Sequence, residues 1–432
     1  MKRRIAKLGA AAAIAILLAG CSPSTGSNGA GDKDIKLTMI QALGSPERTD
    51  ILDGLIAEFE AKYPGTTVEL ISPPTSGAST KILQMLTTKQ DLDVVEVMHT
   101  TQAQYARNGY LADLTAQAEA SPMWETLTPS AQDTSKTDGA VVAIPYGFYV
   151  PALFYRTDYL AAAGIDAPPT TWPEVLKTAR AVTDKSAGRY GFAFRGGSYG
   201  AAAAMFNITA YNAQNLDQSA QYFLKSGKPV FTSPESKQAL KDLLALFNDT
   251  SPADSVSWGY PEMVQGFTSG VSGQLIQTSE VIDAAAGTLE EGTWATAPMP
   301  LGPDGVGAPI PGAYAAWGVT SHSPNQERAW QLVEFLTDQE NDLKFSKLNS
   351  MIPAQEIPEG DQTFSSGAFD AYRVMAADPI KFPVIDAMYS DPNTPDFQIM
   401  ADSDLQSLLI GGTSVDEVLA KWTTYWTGKY PE

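Results

Sequence analysis

The feature of this sequence that most constrains its fold is the alternation of short apolar strand patterns with helical patterns. Extended apolar stretches occur at 35–40, 67–71 and 93–97, and segments with apolar residues at helical spacing, 51–59 and 81–88, lie between them. Strands separated by helices need crossover connections, which make neighbouring strands parallel. A chain of 432 residues also exceeds what one hydrophobic core usually organises. The sequence therefore predicts an α/β protein of two domains.

Capping boxes predict where three of the later helices begin. A Ser or Thr followed three residues on by Glu or Gln occurs at 171–174, 323–326 and 414–417, and Pro324 would occupy the first position of the second helix. Four tryptophans on predicted helices are expected in the core, namely Trp172, Trp330, Trp422 and Trp426.

Residues 1–20 have the pattern of a bacterial export signal. Four basic residues precede an apolar run, 8–18, that is too short to span a bilayer as a helix. The run ends in Leu18-Ala19-Gly20-Cys21, which resembles a lipobox, in which Cys21 is lipidated and becomes the first mature residue. The alternative is an ordinary signal peptide with an accidental cysteine. Residues 21–34 are small, polar and rich in Gly and Ser, which predicts a flexible tether.

The charge and the cysteine content exclude some classes of partner. Without the four basic residues of the leader, 25 basic residues face 49 acidic ones, a net charge of −24. Such a charge argues against binding nucleic acid and against adsorption to anionic lipid. Because Cys21 is the only cysteine, an exported form would have no intramolecular disulfide. A lipid anchor at Cys21 is the expected link to the membrane.

The sequence contains little that is typical of an enzyme. The two histidines, His99 and His322, form no metal-binding spacing, and neither a P-loop nor a Gly-x-Ser-x-Gly motif occurs. A pair of carboxylates, as in glycosidases, stays possible because 49 acidic residues are present. We expect a protein without catalytic activity, metal or cofactor.

Two segments place aromatic side chains beside turns and strand ends. They are 144–151 (IPYGFYVP) and 311–317 (PGAYAAW). Sugars present flat C–H faces ringed by hydroxyls, so a sugar site needs aromatic faces together with polar side chains. These aromatic residues could equally belong to the core.

A set of short motifs occurs in a fixed order over 35–425. The motifs are 59–69 (FEAKYPGTTVE), 93–95 (DVV), 106–114 (ARNGYLADL), 144–146 (IPY), 153–158 (LFYRTD), 267–270 (FTSG), 298–300 (PMP) and 329–336 (AWQLVEFL). Their order and spacing resemble those of family 1 extracellular solute-binding proteins, the maltose-binding-protein group. Val271 departs from the family pattern, which usually has Lys there.

The resemblance implies a two-lobed periplasmic-binding-protein type II fold, in which each lobe has a mainly parallel sheet flanked by helices. The N-terminal lobe would comprise 35–147 and 313–352, and the C-terminal lobe 148–312 and 353–432. The ligand would bind between the lobes, which close by hinge bending. The crossings between the lobes would fall near Gly147–Val150, Ala308–Gly312 and Met351–Ala354.

The resemblance also implies which residues face the cleft. Tyr149 lies on the first crossing, where the family usually has a side chain that contacts the ligand. Further ligand-binding candidates come from loops, strand ends and a second crossing: Ser45, Glu47, His99, Thr100, Arg195, Tyr199, Glu280, Gly312, Tyr314 and Phe397. Glu280 stands where tryptophan often stacks on sugar, so hydrogen bonding would replace stacking there.

The function implied is that of the substrate-binding lipoprotein of an ABC importer, lipid-anchored on the extracytoplasmic face of the cell membrane. It would act as a monomer, capture a mono- or oligosaccharide and deliver it to membrane permease subunits. A second possibility within the class is glycerol-3-phosphate or a glycerophosphodiester, whose phosphate would meet Arg195 or Arg373. A third is a tethered carbohydrate-active hydrolase.

Overall fold

The computed structural model describes residues 34–430 except 221, 312, 365–366, 386–390 and 392. The strands of this part are β1 (Ile35–Ile40), β2 (Thr66–Ile71), β3 (Val94–Met98), β4 (Lys136–Thr137), β5 (Ala140–Val141), β6 (Ile144–Tyr149), β7 (Pro151–Arg156), β8 (Gln274–Thr278), β9 (Trp294–Ala297), β10 (Ile310–Pro311), β11 (Ala313–Val319) and β12 (Val384–Ile385). The helices are α1 (Pro46–Lys62), α2 (Thr75–Thr87), α3 (Gln102–Arg107), α4 (Thr115–Glu119), α5 (Pro122–Thr126), α6 (Pro129–Thr134), α7 (Thr157–Ala162), α8 (Trp172–Val182), α9 (Gly200–Tyr211), α10 (Pro234–Thr250), α11 (Tyr260–Thr268), α12 (Val281–Ala286), α13 (Gln326–Thr337), α14 (Gln339–Leu348), α15 (Asp370–Ala377), α16 (Thr394–Leu409) and α17 (Val415–Lys429).

The N-terminal lobe is built on a five-stranded sheet in the order β2-β1-β3-β11-β6. β1 pairs in parallel with β2 and β3, as the alternation of strands and helices predicts. β11 is antiparallel to both of its neighbours, β3 and β6. It runs the other way because it enters this lobe from the C-terminal one.

The C-terminal lobe contains a three-stranded sheet in the order β8-β7-β9, and both pairings are antiparallel. The expectation of a mainly parallel sheet is therefore wrong for the described part of this lobe. β8 and β9 are parallel to each other and are joined by helix α12, as in a crossover unit. β7 enters from the N-terminal lobe and lies between them in the opposite direction, so each sheet is interrupted by one strand that arrives from the other lobe.

The chain passes between the lobes at three places. β6 pairs in the first sheet and β7 in the second, so Val150 joins them. β10 pairs with β12 and is followed by β11 of the first sheet. The third passage lies later than Met351–Ala354. Ala354 is buried in the N-terminal core and its carbonyl accepts from the Thr128 amide (3.0 Å), and the Glu356 amide donates to the Thr126 carbonyl (2.8 Å).

Two of the three predicted capping boxes form. Thr171 with Glu174 and Ser414 with Glu417 cap α8 and α17. The third prediction is wrong, because α13 begins at Gln326 and the Ser323 hydroxyl instead donates to Asp93 (2.5 Å). The four helical tryptophans are all buried, as expected: Trp172, Trp330, Trp422 and Trp426.

Candidate functional site

The strand pairings place the candidate site where the chain first leaves the N-terminal lobe, at the end of β6. Tyr149 is the last residue of β6 and pairs with Ala313 of β11. Two residues later Pro151 pairs with Thr278, the last residue of β8. Glu280 follows Thr278 at the start of α12. The fold therefore places an N-terminal-lobe tyrosine and a C-terminal-lobe carboxylate close together.

Glu280 is the centre of this arrangement. Its Oε2 atom is buried and has no hydrogen-bond partner among the described residues. Burial raises the pKa of the carboxyl group, although a hydrogen bond with Thr278 and the Arg195 guanidinium oppose the shift. The pKa values of the neighbouring tyrosines are also shifted. Burial and the negative charge of Glu280 together raise the pKa of Tyr149 and Tyr260.

Tyr372 brings a second buried polar atom without a partner. It lies on α15, is 5% exposed, and its hydroxyl has no hydrogen-bond partner among the described residues. Burial raises its pKa well above the usual value, and the charge of Glu280 adds to the shift. A hydroxyl that can donate and a carboxylate that can accept are thus both available at this point.

Two loops of the C-terminal lobe are held together beside Glu280. The Gly196 amide donates to the Ser255 carbonyl (3.0 Å), and the Gly197 amide donates to the Trp258 carbonyl (2.9 Å). A Cβ atom at Gly197 would lie 2.8 Å from the Trp258 carbonyl oxygen, so this approach requires glycine. The contact places Arg195 close to Tyr260 on α11.

Arg195 and Tyr199 occupy the rim of the site. The Arg195 Nε donates to the Ser198 carbonyl (2.7 Å), and its guanidinium lies 5.4 Å from the Tyr199 ring centroid. Tyr199 is 56% exposed and adopts a left-handed conformation, with φ of 64°. A strained backbone and an exposed ring are features that cluster at functional sites.

The N-terminus of α9 is already occupied by a carboxylate. Asp402 accepts from the Tyr199 amide and the Ala201 amide, both at 2.8 Å. Burial lowers the pKa of Arg195, and the Asp402 charge opposes that shift. An anion approaching this helix terminus would therefore meet a negative charge.

His99 and Tyr314 form the neighbouring part of the N-terminal wall. The His99 amide donates to the Tyr314 carbonyl (3.1 Å), and the ring Nδ1 lies 3.3 Å from the same oxygen. Burial lowers the pKa of His99 to about 4, so the ring is neutral at pH 7. Because a carbonyl can only accept, Nδ1 carries the proton and Nε2 is the accepting nitrogen.

A buried ionic network supports the same wall. The Arg48 Nη2 atom donates to the Glu96 carboxylate and to the Tyr146 hydroxyl, both at 2.7 Å. Glu96 also accepts from the Ala42 and Leu43 amides in the loop after β1. The network fixes this loop and reaches the crossing, because the Arg48 charge acts on Tyr149 and lowers its pKa against the effect of burial.

The remaining predicted residues are placed unequally. Ser45 is exposed and caps α1, with its hydroxyl accepting from the Arg48 amide (3.2 Å). Thr100 is exposed in the turn after β3, and Tyr314 is 3% exposed and packs against His99. The side chain of Glu47 and the whole of Gly312 and Cys21 lie outside the described residues.

Phe397 is not a cleft residue. It is 2% exposed and lies in the core between α9, α16 and α17. Its ring is within 5.6 Å of five other aromatic rings, those of Tyr222, Phe231, Trp422, Tyr425 and Trp426. The prediction for Phe397 is wrong because its aromatic surface is used within the lobe.

Arg373, the other candidate for a phosphate, lies on the surface. It is on α15 with its side chain 54% exposed and forms an ion pair with Asp370 (2.6 Å) one turn earlier. Both proposed phosphate ligands, Arg195 and Arg373, therefore have a carboxylate close to them.

The described residues contain no group of three or more His, Cys, Asp or Glu side chains arranged to hold a metal ion. In the same part of the chain, every helix is too short or too polar to cross a membrane.

The chain forms two α/β lobes joined by crossing strands, and polar and aromatic side chains lie near the first crossing. This architecture is typical of solute-binding proteins. The sequence profile of the family described as bacterial extracellular solute-binding protein matches residues 45–342. The chain belongs to this family, whose members bind solutes for ABC importers.

Similar proteins cover nearly the whole chain. A putative binding protein of Brucella abortus is 24% identical over 424 residues, 93% of this chain and 95% of the relative. Maltose-bound MalE3 of T. maritima superposes with a TM-score of 0.77 at 20% identity, over 91% of this chain and all of that one. A ribitol-bound solute-binding protein of Agrobacterium radiobacter gives 0.73 at 21% identity, over 92% and 99%. At these identities the solved structures establish the two-lobed fold.

Proposed function

We propose that this protein captures a carbohydrate in the cleft between its lobes and delivers it to the permease of an ABC importer. The observation that carries the proposal is the pair of buried, unpartnered polar atoms at the crossing, Glu280 Oε2 and the Tyr372 hydroxyl. Buried polar groups need partners, and sugar hydroxyls both donate and accept hydrogen bonds. The similar proteins with maltose and ribitol bound support the same ligand class.

The other side chains of the site fit a polyhydroxylated ligand. Tyr149 offers an aromatic ring at the crossing, and Tyr199 an exposed ring at the rim. Arg195 adds N–H donors. A phosphate ligand is disfavoured, because Asp402 caps the N-terminus of α9 beside Arg195, and Arg373 is paired with Asp370.

The protein would act as a monomer that catalyses no reaction. The lipobox-like Leu18-Ala19-Gly20-Cys21 supports attachment through a lipid on Cys21, with 21–34 as the tether. The protein would then stand on the extracytoplasmic face of the cell membrane, where its ligand is released to permease subunits.

Calorimetry tests the ligand class. The mature protein is titrated with neutral and amine-bearing mono- and disaccharides, with sugar alcohols and with glycerol-3-phosphate. We expect binding by at least one carbohydrate and none by glycerol-3-phosphate. Tyr149→Ala should weaken that binding by about 1–3 kcal/mol, roughly 5- to 150-fold.

The matched control is Tyr430→Ala, which removes an exposed tyrosine at the end of α17. This variant should bind as the wild type does. Selective binding of glycerol-3-phosphate, or turnover of a saccharide during the titration, would contradict the proposal.

A further inference from the structure

The Glu280 carboxyl group is incompletely partnered in the described part of the protein. None of the ion pairs among the described residues includes it, and its Oε2 atom has no hydrogen-bond partner there. Burying a carboxylate without a partner is costly, so such groups are normally paired or serve a function. Glu280 lies near Tyr149, Tyr260 and Tyr372, because its charge acts on the pKa of each.

Charged side chains of both lobes lie around Glu280. Arg195 is the positive group whose charge acts on Glu280, but Asp402 acts on Arg195 more strongly than Glu280 does. On the other wall Arg48 is paired with Glu96 (2.7 Å) and His99 is neutral. With Glu280 ionised, these described groups sum to one negative charge.

The other titratable neighbours do not remove this charge. Tyr149, Tyr260 and Tyr372 stay protonated at neutral pH because burial raises their pKa values. Asp283, one turn further along α12, accepts from the Ser350 hydroxyl (2.6 Å) and adds no positive group. The candidate site thus combines a carboxyl group that forms no ion pair among the described residues with aromatic side chains, a combination that stabilises a cation.

We propose that Glu280 binds the ammonium group of an amino sugar, so that the preferred ligand is a saccharide with one positive charge. This inference rests on the proposed carbohydrate-binding function and narrows its ligand class. The ammonium group would donate to Oε2, and the sugar hydroxyls would form hydrogen bonds with the tyrosine hydroxyls. Charge-assisted hydrogen bonds of this kind are about twice as strong as neutral ones.

Calorimetry with matched ligands tests the inference. The probes are glucosamine, glucose and N-acetylglucosamine, together with the β-1,4-linked dimers of the same three sugars. They differ at one substituent, so the ring contacts are shared. At pH 7 the amine-bearing members should bind about tenfold tighter than both neutral counterparts.

The variant Glu280→Gln keeps the size of the side chain and removes its charge. In this variant the preference for the amine should fall to less than about threefold. Glu290→Gln is the matched control, because Glu290 is exposed in the same lobe and outside the site. It should keep the wild-type preference, and thermal unfolding of both variants checks that they are folded.

The outcomes separate the two proposals. If neutral sugars bind as tightly as their amine-bearing counterparts, or if Glu280→Gln keeps the preference, the ammonium site is refuted while the carbohydrate function stands. If every saccharide fails to bind while glycerol-3-phosphate binds, the carbohydrate function fails and this inference falls with it.

Discussion

Replacing Glu96 tests whether the buried network holds the N-terminal wall of the site. Glu96 is 1% exposed, and its carboxylate accepts from Arg48, from Tyr146 and from the Ala42 and Leu43 amides. Glu96→Gln removes the negative charge and leaves the Arg48 guanidinium buried without its partner. Breaking a buried ion pair in this way costs about 3–5 kcal/mol.

Urea unfolding followed by circular dichroism measures this loss. Glu58→Gln is the matched control, because Glu58 forms an ion pair with Lys344 (2.5 Å) in the same lobe but with both side chains about half exposed. Pairs of that kind contribute about 0–1 kcal/mol. A double variant, Arg48→Met with Glu96→Gln, should lose less than the sum of the two single changes, because the unpaired charge is then absent.

Ligand binding should weaken in the same variant. In Glu96→Gln one carboxylate oxygen becomes an NH2 group, so the Ala42 and Leu43 amides of the loop after β1 compete with Arg48 and Tyr146 for the single acceptor oxygen that is left. The candidate Ser45 lies just beyond these residues. If Glu96→Gln unfolds at the same urea concentration as Glu58→Gln, the network does not contribute as the structure suggests and the argument is refuted.

Two further predictions concern charge and anchoring. Burial raises the pKa of Glu280, so the folded protein holds the carboxyl proton more tightly than the unfolded chain does. The stability of the protein should therefore fall as the pH rises above the pKa of the unfolded state, about 4.3, toward neutrality. Glu280→Gln should remove this fall and be more stable than the wild type at pH 7. Urea unfolding midpoints at pH 4, 5.5 and 7 measure the difference. A variant less stable than the wild type at pH 7 would show that the carboxylate has stabilising partners in the folded protein. Cys21→Ser, expressed in a bacterial host, should leave ligand binding intact and release the protein from the membrane fraction or leave its precursor uncleaved, and a processed variant that stays with the membrane would exclude the lipid anchor.

The sequence was sufficient to predict the strand–helix–strand units of the N-terminal lobe. The alternation at 35–97 correctly gave the parallel pairing of β1, β2 and β3, since local helical spacing implies crossovers. It could not give the antiparallel strands β7 and β11. Their direction depends on which lobe they enter from, and that is a property of the whole chain.

The positions of candidate-site residues were predictable where one short segment carries the information. Tyr149 lies on a crossing that the Pro- and Gly-flanked aromatic segment marks in the sequence, and Glu280 follows a strand end. Tyr260 and Tyr372 were missed. Tyr260 opens α11 after Gly259, whose amide donates to the Glu262 carboxylate (3.0 Å), and this is a signal for a helix start and not for a ligand. Tyr372 is about ninety residues from Glu280 in the sequence and comes near it only in the folded protein. Its position therefore follows from tertiary packing alone.

The two sides of the candidate site differ in how their polar groups are satisfied. On the N-terminal side, Glu96 has partners from Arg48, Tyr146 and the backbone, so its charge is used within the fold. On the C-terminal side, Glu280 and Tyr372 leave buried polar atoms without partners among the described residues. A change in the first group removes interactions that the folded state already has and therefore lowers stability. A change in the second group relieves a cost of folding and removes an interaction available to a ligand, so it should alter ligand choice while leaving the fold intact.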